Sequence, residues 1–426
     1  MRARPLLPLV VVLLGTAGLP SMAPLRADEI DAARGEALFS RIDEMLGSLS
    51  SIMGFGADKP IVRELLTREQ ITELVESRLE DESQTEQLRR EELFLRLFGF
   101  VPREFDLAQQ VADVLTEQAT ALYDYKTRKL YLATWTPDDM QEFALVHELA
   151  HAIADQRFDL GKFVKRSHTA DGDLARSAVI EGQASWVMTE WLFQQTHRSL
   201  KDSPQLAAAT AGASRYEAES YPVYSSAPLY IKETMLFPYT DGLLFQQRLV
   251  EEFGQKGFRI PFETAPLNTR HILNPESYLR DELPTKPRFL SLRLKGYERT
   301  SRGNVGQLEH RILVQQYTDS RDTADQISGG WRGGRFEIYE TPDRKGAVLR
   351  YGSDWANRPG ARDAFELYRK VCLKKLPQAE LTLEEDDRFV GRSEWGWFDV
   401  RLIDNSIASL EGLPEPPAGA EASVTQ

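Results

Sequence analysis

The sequence predicts an α+β fold: a mostly helical core that carries one β-hairpin, followed by a small C-terminal α+β domain. Helical apolar spacing dominates up to about residue 284, and short strand-like segments between turns follow it. With 42% hydrophobic and 27% charged residues, the composition is that of a folded protein. The expected regions are a signal peptide (1–27), an N-terminal helical region (28–100), the core domain (101–284), the C-terminal domain (285–412) and a disordered tail (413–426).

The first residues have the pattern of an export signal. Arg2 and Arg4 precede an apolar run from Leu6 to about Leu14, and small residues follow as far as Ala27. This run is shorter than a membrane span requires. We therefore expect export to the periplasm or the cell exterior, with cleavage near Ala27. The alternative is an uncleaved signal that tethers the protein to a membrane.

A β-hairpin is predicted next, where two apolar segments flank the polar turn 125–128. The segments are residues 121–124 and 129–133. A strand at the edge of a sheet can hold an extended peptide by main-chain hydrogen bonds. This hairpin either binds substrate at such an edge or has only a structural role.

The core is organised around a single H-E-x-x-H motif at residues 147–151. Histidines four residues apart on a helix lie on one face, so both imidazoles can bind one divalent metal ion. Glu148 can then reach a water molecule on that metal. The alternative is that His147 and His151 are simply core histidines.

The motif requires a helix, and the surrounding sequence predicts one. Thr136 is a good N-cap, Pro137 suits the first helical position, and apolar spacing continues to about Phe158. The residues of the expected inward stripe recur at steps of three and four: Met140, Ala144, His147, His151, Ala154 and Phe158. The histidines therefore should face the interior.

A second predicted helix places Glu181 in the middle of an apolar or small stripe. A buried carboxylate is costly unless it is paired, protonated or bound to metal. Ligation of the metal held by the two histidines would remove that cost. Two histidines and one glutamate with an open position form the ligand set of catalytic zinc, and the single cysteine, Cys372, excludes a closed thiolate site. We predict that Zn²⁺ is bound by His147, His151 and Glu181.

These motifs resemble the gluzincin branch of metallopeptidases, which combine H-E-x-x-H with a downstream glutamate ligand. The chain is more closely similar to a group of uncharacterised exported bacterial proteins regarded as zinc peptidases. The resemblance spans roughly residues 90–370 and implies a zincin-like core. It is carried by four segments: His147-Glu148-Leu149-Ala150-His151-Ala152-Ile153-Ala154-Asp155-Gln156, Glu181-Gly182-Gln183-Ala184, Phe237-Pro238-Tyr239-x-x-Gly242 and Ile272-Leu273-x-Pro275-Glu276-x-Tyr278.

The resemblance also directs attention to two further positions. Gluzincins place a tyrosine or histidine from a downstream helix beside the developing oxyanion, and both Tyr239 and Tyr230 have the right order in the chain. The alternative for Tyr239 is a helix-start residue packed in the core. Thermolysin has an aspartate four residues after the glutamate ligand, whereas this chain has Ser185. Asp155 is the candidate replacement that orients a zinc histidine, and the alternative is a surface charge at a helix end.

The remaining sequence carries no visible chemistry. The polar loop 160–170 contains His168, which we interpret as solvent-exposed and not a metal ligand. His197, at the end of the second helix, is interpreted as a helix-end residue that interacts with free carbonyls. Strands are expected at 335–339, 347–351, 389–390, 395–402 and 407–410, and a helix at 362–375. The glycines at 329–334 lack the rest of a phosphate loop and indicate turns. A net charge of −13 argues against nucleic acid or an anionic membrane surface as a partner.

Together the residues predict an exported zinc metallopeptidase that hydrolyses peptide bonds in a peptide or protein substrate. Glu148 would act as the general base toward water. The alternative from another class is a catalytically silent protein that keeps the metalloprotease scaffold for binding. A merely structural metal site has no need of Glu148, which favours the enzyme.

Overall fold

The computed structural model describes residues 39–67, 69–70, 73, 82–118, 121–134 and 138–418. The predicted signal peptide, the expected N-cap Thr136 with Pro137, and the tail beyond residue 418 lie outside this part. No helix among the described residues is long and apolar enough to cross a membrane.

The structure is mixed α and β, as predicted. Its first part contains α1 (Ile42–Met53), β1 (Val62–Leu66), α2 (Glu82–Phe98), α3 (Leu107–Gln118), β2 (Ala121–Asp124), β3 (Lys129–Ala133), α4 (Asp138–Phe158), α5 (Leu160–Lys165), α6 (Ala170–Gln194), α7 (Pro204–Ala218), α8 (Pro222–Ser226), α9 (Leu229–Phe253), a 3₁₀ turn (Gly254–Phe258), α10 (Ile260–Glu263), α11 (Thr269–Leu273) and α12 (Pro275–Leu279). The second part contains β4 (Glu298–Asn304), α13 (Gln307–Thr318), α14 (Arg321–Ser328), β5 (Trp331–Glu340), β6 (Ala347–Trp355), α15 (Arg358–Lys375), β7 (Glu380–Glu384), β8 (Arg388–Ser393), β9 (Gly396–Ile403) and β10 (Ser406–Leu413).

The predicted hairpin is present and belongs to a three-stranded sheet in the order β1-β3-β2. β2 and β3 are antiparallel, whereas β1 runs parallel to β3, with Val62 opposite Lys129. The expectation of a wholly helical region 28–100 is therefore wrong at β1. Only Leu66 of this strand is buried, so the segment has little apolar surface of its own to bury. Pairing with β3, more than sixty residues later in the chain, holds it in an extended conformation.

Three helices surround the site. α4 ends at Phe158 as predicted, but it is buried on nearly every side rather than along one stripe, because Leu145, Val146 and Leu149 are as inaccessible as the histidines. α6 is 25 residues long, and the side chain of Thr169 caps it by accepting from the amide of Gly172. α9 begins at Leu229, so Tyr239 lies in its middle and not at a helix start.

The segment 160–170, expected to be a loop, begins with the short helix α5. Asp159 caps this helix by accepting from the amide of Lys162. Its apolar members Leu160 and Phe163 are buried, which gives the helix a reason to form. His168 is exposed, as predicted, and His197 is exposed just beyond the end of α6.

The C-terminal part is an antiparallel seven-stranded sheet in the order β4-β5-β6-β10-β9-β8-β7. The predicted strands and the helix near 362–375 are confirmed, whereas β4, β7, α13 and α14 were not predicted. One hydrophobic cluster contains Phe98 and Tyr230 from the first part and Phe336 and Tyr351 from the sheet. The two parts therefore share a core, although residues 283–297, at the expected boundary, form no helix or strand.

Candidate metal centre

α4 and α6 bring the three predicted ligands together. The Nε2 atoms of His147 and His151 each lie 3.2 Å from Oε2 of Glu181. All three side chains are buried, with relative exposures of 1%, 1% and 4%. Within the part of the chain that the structure describes, they form a group that can hold a metal ion.

The distances in this group are compatible with three ligands of one metal ion. Ligand atoms about 2.0–2.2 Å from a tetrahedral ion lie roughly 3.3–3.5 Å from one another. The contact of His151 with Glu181 does not have hydrogen-bond geometry, and Nδ1 of His147 has no partner among the described residues. Buried polar atoms normally find a partner, so the three converging side chains form a candidate metal-binding group.

The protonation of the metal-free pocket follows from burial and charge. Burial lowers the pKa of His147 to about 4. Burial also disfavours the charged form of His151, but the negative charges of Glu181 and Glu148 outweigh it and raise the pKa of His151. Burial opposes the charge of Glu181 too, yet the positive charge of His151 and the hydrogen bond with His147 lower the pKa of Glu181 to about 2. A divalent cation bound to these side chains would displace their protons.

Glu148 is fully buried beside these ligands. Burial raises the pKa of Glu148 to about 8, with the charge of Glu181 contributing to the increase. Neither of its carboxylate oxygens has a hydrogen-bond partner of normal geometry among the residues that the structure describes, although the backbone amide of Tyr123 on β2 approaches it. A buried carboxyl group with no fixed partner is suited to exchanging a proton with a small molecule.

Of the two candidate tyrosines, the structure places Tyr239 at the pocket. Its ring lies 6.1 Å from the imidazole of His147, at an interplanar angle of 28°. Tyr230 instead packs on Phe100, 4.8 Å away, where burial raises its pKa well above the usual value. Only Tyr239 of this pair is therefore close to the metal ligands.

A close helix crossing positions Glu181 relative to Tyr239. A β-carbon on Gly182 would lie 2.1 Å from the carbonyl carbon of Gly242, and one on Gly242 would lie 2.4 Å from the carbonyl oxygen of Ala178. α6 and α9 thus touch backbone to backbone, which only glycine permits. Both glycines are part of the motif segments, in E-G-x-A and in the third position after Tyr239, but their role as a contact was not predicted.

Asp155 is buried, so its interpretation as a surface charge is wrong. Its carboxylate accepts from the hydroxyl of Tyr123 at 3.0 Å and from the amide of Leu160 at 2.9 Å, and it lies 3.5 Å from Nε of Arg128. These contacts tie the edge strand β2 to the end of α4. The role expected for Asp155, orientation of a zinc histidine, is not among them.

Comparison with known proteins identifies no relative. No protein-family model, curated protein or solved structure matches the chain. The likeness to gluzincins therefore rests on the motif residues and on the pocket that they form.

Proposed function

We propose that this protein is an exported zinc-dependent peptidase with a zincin-like core. The observation that carries the proposal is the buried pocket in which two imidazole nitrogens converge on one carboxylate oxygen at 3.2 Å, with the unpaired Glu148 beside them. A binding scaffold that needed only a structural metal would have no use for Glu148, and leaving this carboxyl group unpaired in the interior costs stability.

When bound, a zinc ion would supply Lewis-acid chemistry toward water and the substrate carbonyl. His147, His151 and Glu181 would hold it. Glu148, in its carboxylate form, would accept a proton from the attacking water and return it to the leaving amine. The phenol of Tyr239 donates to the oxygen that gains negative charge.

The edge strand β2 supports a peptide as the substrate class. Among the described residues it pairs only with β3, and its Tyr123 amide is directed toward Glu148. An extended peptide added to this edge would run past the general base. The contacts of Asp155 hold β2 in that position.

The decisive experiment compares wild type with Glu148→Gln, a substitution that keeps the size of the side chain and removes its basicity. Wild type should cleave an unfolded-protein or peptide-library substrate, and a chelator should stop cleavage. Glu148→Gln should keep zinc, measured by elemental analysis, while turnover falls by about 10²- to 10⁴-fold. Cleavage by Glu148→Gln at the wild-type rate would refute the mechanism. Zinc in both proteins without cleavage by either would favour the silent binding scaffold.

A further inference from the structure

We infer that Arg311 and Asp241 form an ion pair that positions the catalytic turn of α9, so that the C-terminal part of the chain belongs to the machinery of the site. They are positioning residues, because they act on Tyr239 through the helix that carries it. The consequence for catalysis rests on the proposed peptidase function. The geometric claim does not, since it concerns how α9 is held.

The contact is a fork between α13 and α9. Nη1 and Nη2 of Arg311 lie 3.1 and 3.2 Å from the two carboxylate oxygens of Asp241. Arg215 of α7 approaches the same carboxylate at 2.6 Å and donates to the hydroxyl of Thr240 at 2.8 Å. Arg311 is 3% exposed at its side chain. Burial opposes the charge of Asp241, but the two guanidinium groups hold the pKa of Asp241 far below its usual value.

A second contact holds α9 about two turns before Asp241. Glu233 of α9 accepts from Arg321 of α14 at 3.0 and 3.1 Å and lies 3.4 Å from Arg215 and 3.7 Å from Arg311. Glu233 and Asp241 thus flank Tyr239 along the helix. Arginines from α7, α13 and α14 therefore pair with α9 at positions before and after Tyr239.

The position of Pro238 explains why this turn needs support from outside. Proline inside a helix removes one main-chain hydrogen bond and clashes with the preceding turn, so the helix is weakest there. Pro238 immediately precedes Tyr239. On the far side, Gly242 rests on the backbone of α6, where no side chain can take up a shift. Buried ion pairs contribute little net stability, but a bidentate arginine fixes direction and distance.

The test uses Arg311→Met and Asp241→Asn in the full-length protein, with Arg89→Met as the matched control. Arg89 pairs at 2.9 Å with the buried Glu340 and also joins the two parts of the chain, but it lies on α2 rather than against α9. Amide hydrogen exchange is compared with zinc added. Both test variants should lose protection at residues 236–242 by about tenfold or more, while α4 stays protected. Arg89→Met should leave residues 236–242 at wild-type protection. Unchanged exchange there in both test variants would overturn the inference.

Kinetics separate positioning from general destabilisation. In a protein that cleaves peptides, Arg311→Met should lower kcat with little change in KM, and Arg311→Lys should restore part of it. Adding Arg311→Met to Tyr239→Phe should cost nothing further, because the positioned phenol is already gone. Additive losses in the double variant would refute action through Tyr239. If no variant and no wild type cleaves peptides, while exchange at 236–242 responds as expected, the peptidase proposal fails and the positioning of α9 stands.

Discussion

Two buried polar clusters in this protein differ in one respect. In the C-terminal part, Glu411 lies 2.7 Å from the ammonium of Lys375 and accepts from the hydroxyls of Tyr368 at 2.6 Å and Ser409 at 2.8 Å. In the pocket between α4 and α6, two histidines and Glu181 converge beside Glu148, and no lysine or arginine of the described residues pairs with them.

The difference shows that burial of polar residues does not by itself mark a functional site. Lys375 and Glu411 balance each other's charge, which is what a structural cluster requires. In the pocket, His147, His151 and Glu181 can share a metal ion, and neither carboxylate oxygen of Glu148 has a hydrogen-bond partner among the described residues. Unsatisfied groups that converge on one point therefore identify the site better than burial or charge.

The largest expected effect concerns the zinc content of the protein. Purified wild type should carry about one zinc per chain, and Glu181→Ala should carry none, because the carboxylate oxygen shared by both imidazoles is lost. Elemental analysis after dialysis measures this, with Glu411→Ala, where it folds, as the control that should keep its zinc. Undiminished zinc in Glu181→Ala would remove this residue from the site.

Breaking the pair of Lys375 and Glu411 should cost stability without touching the metal. Lys375→Met leaves the Glu411 carboxylate buried and uncompensated, which costs about 3–5 kcal/mol. Denaturant unfolding of the zinc-loaded protein measures that loss. If Lys375→Met also lost zinc, the two clusters would not be independent.

A change at the helix crossing should affect stability and metal together. Gly182→Ala places a methyl group where the backbone of Gly242 lies, and α6 and α9 must separate. Overpacking of this kind costs about 3 kcal/mol, at the upper end of the usual range, because backbone cannot rotate away. Zinc affinity, from chelator competition, should fall in Gly182→Ala. The neighbouring Ala184→Gly, which adds no atom, serves as the comparison.

The smallest effect concerns a third buried cluster, formed by the acids Asp171 and Glu309. Burial raises the pKa of Glu309 to about 8 and of Asp171 to about 6, and the charges of Asp171 and Glu91 add to the effect on Glu309. The folded protein retains protons that the unfolded chain releases near pH 4–5, so stability should fall as pH rises from about 5 to about 8.

Glu309→Gln should remove much of this pH dependence. Its amide oxygen can still accept from the backbone of Gly306, as Glu309 does at 2.9 Å. We expect the variant to be more stable than wild type at pH 8 by on the order of 1–3 kcal/mol and nearly equal at pH 5. Unfolding curves at both pH values decide it. An equal difference in stability between Glu309→Gln and wild type at the two pH values would contradict the buried, protonated state of Glu309.

Local pattern was enough for the parts of the site that lie within single elements. The four-residue spacing of His147 and His151 requires a helix, and the helix ends at Phe158 as predicted. The steps of three and four around Glu181 placed it on the inner side of the next helix, and the hairpin bounds 121–124 and 129–133 match the strands. These features depend on residues within a few turns of each other, which periodicity reports directly.

Tertiary structure alone decided which distant residues meet. The sequence offered both Tyr230 and Tyr239, and the crossing of α6 with α9 selected Tyr239. The sequence did not decide the role of Asp155. In the structure, the hydrogen bond from Tyr123 makes Asp155 a link between α4 and the edge strand β2. Pairing with β3 turned residues 62–66 into a strand, and α13, not predicted at all, brought Arg311 to Asp241. Each outcome depends on the energy of contacts between segments far apart in the chain, and no local spacing of residues carries that information.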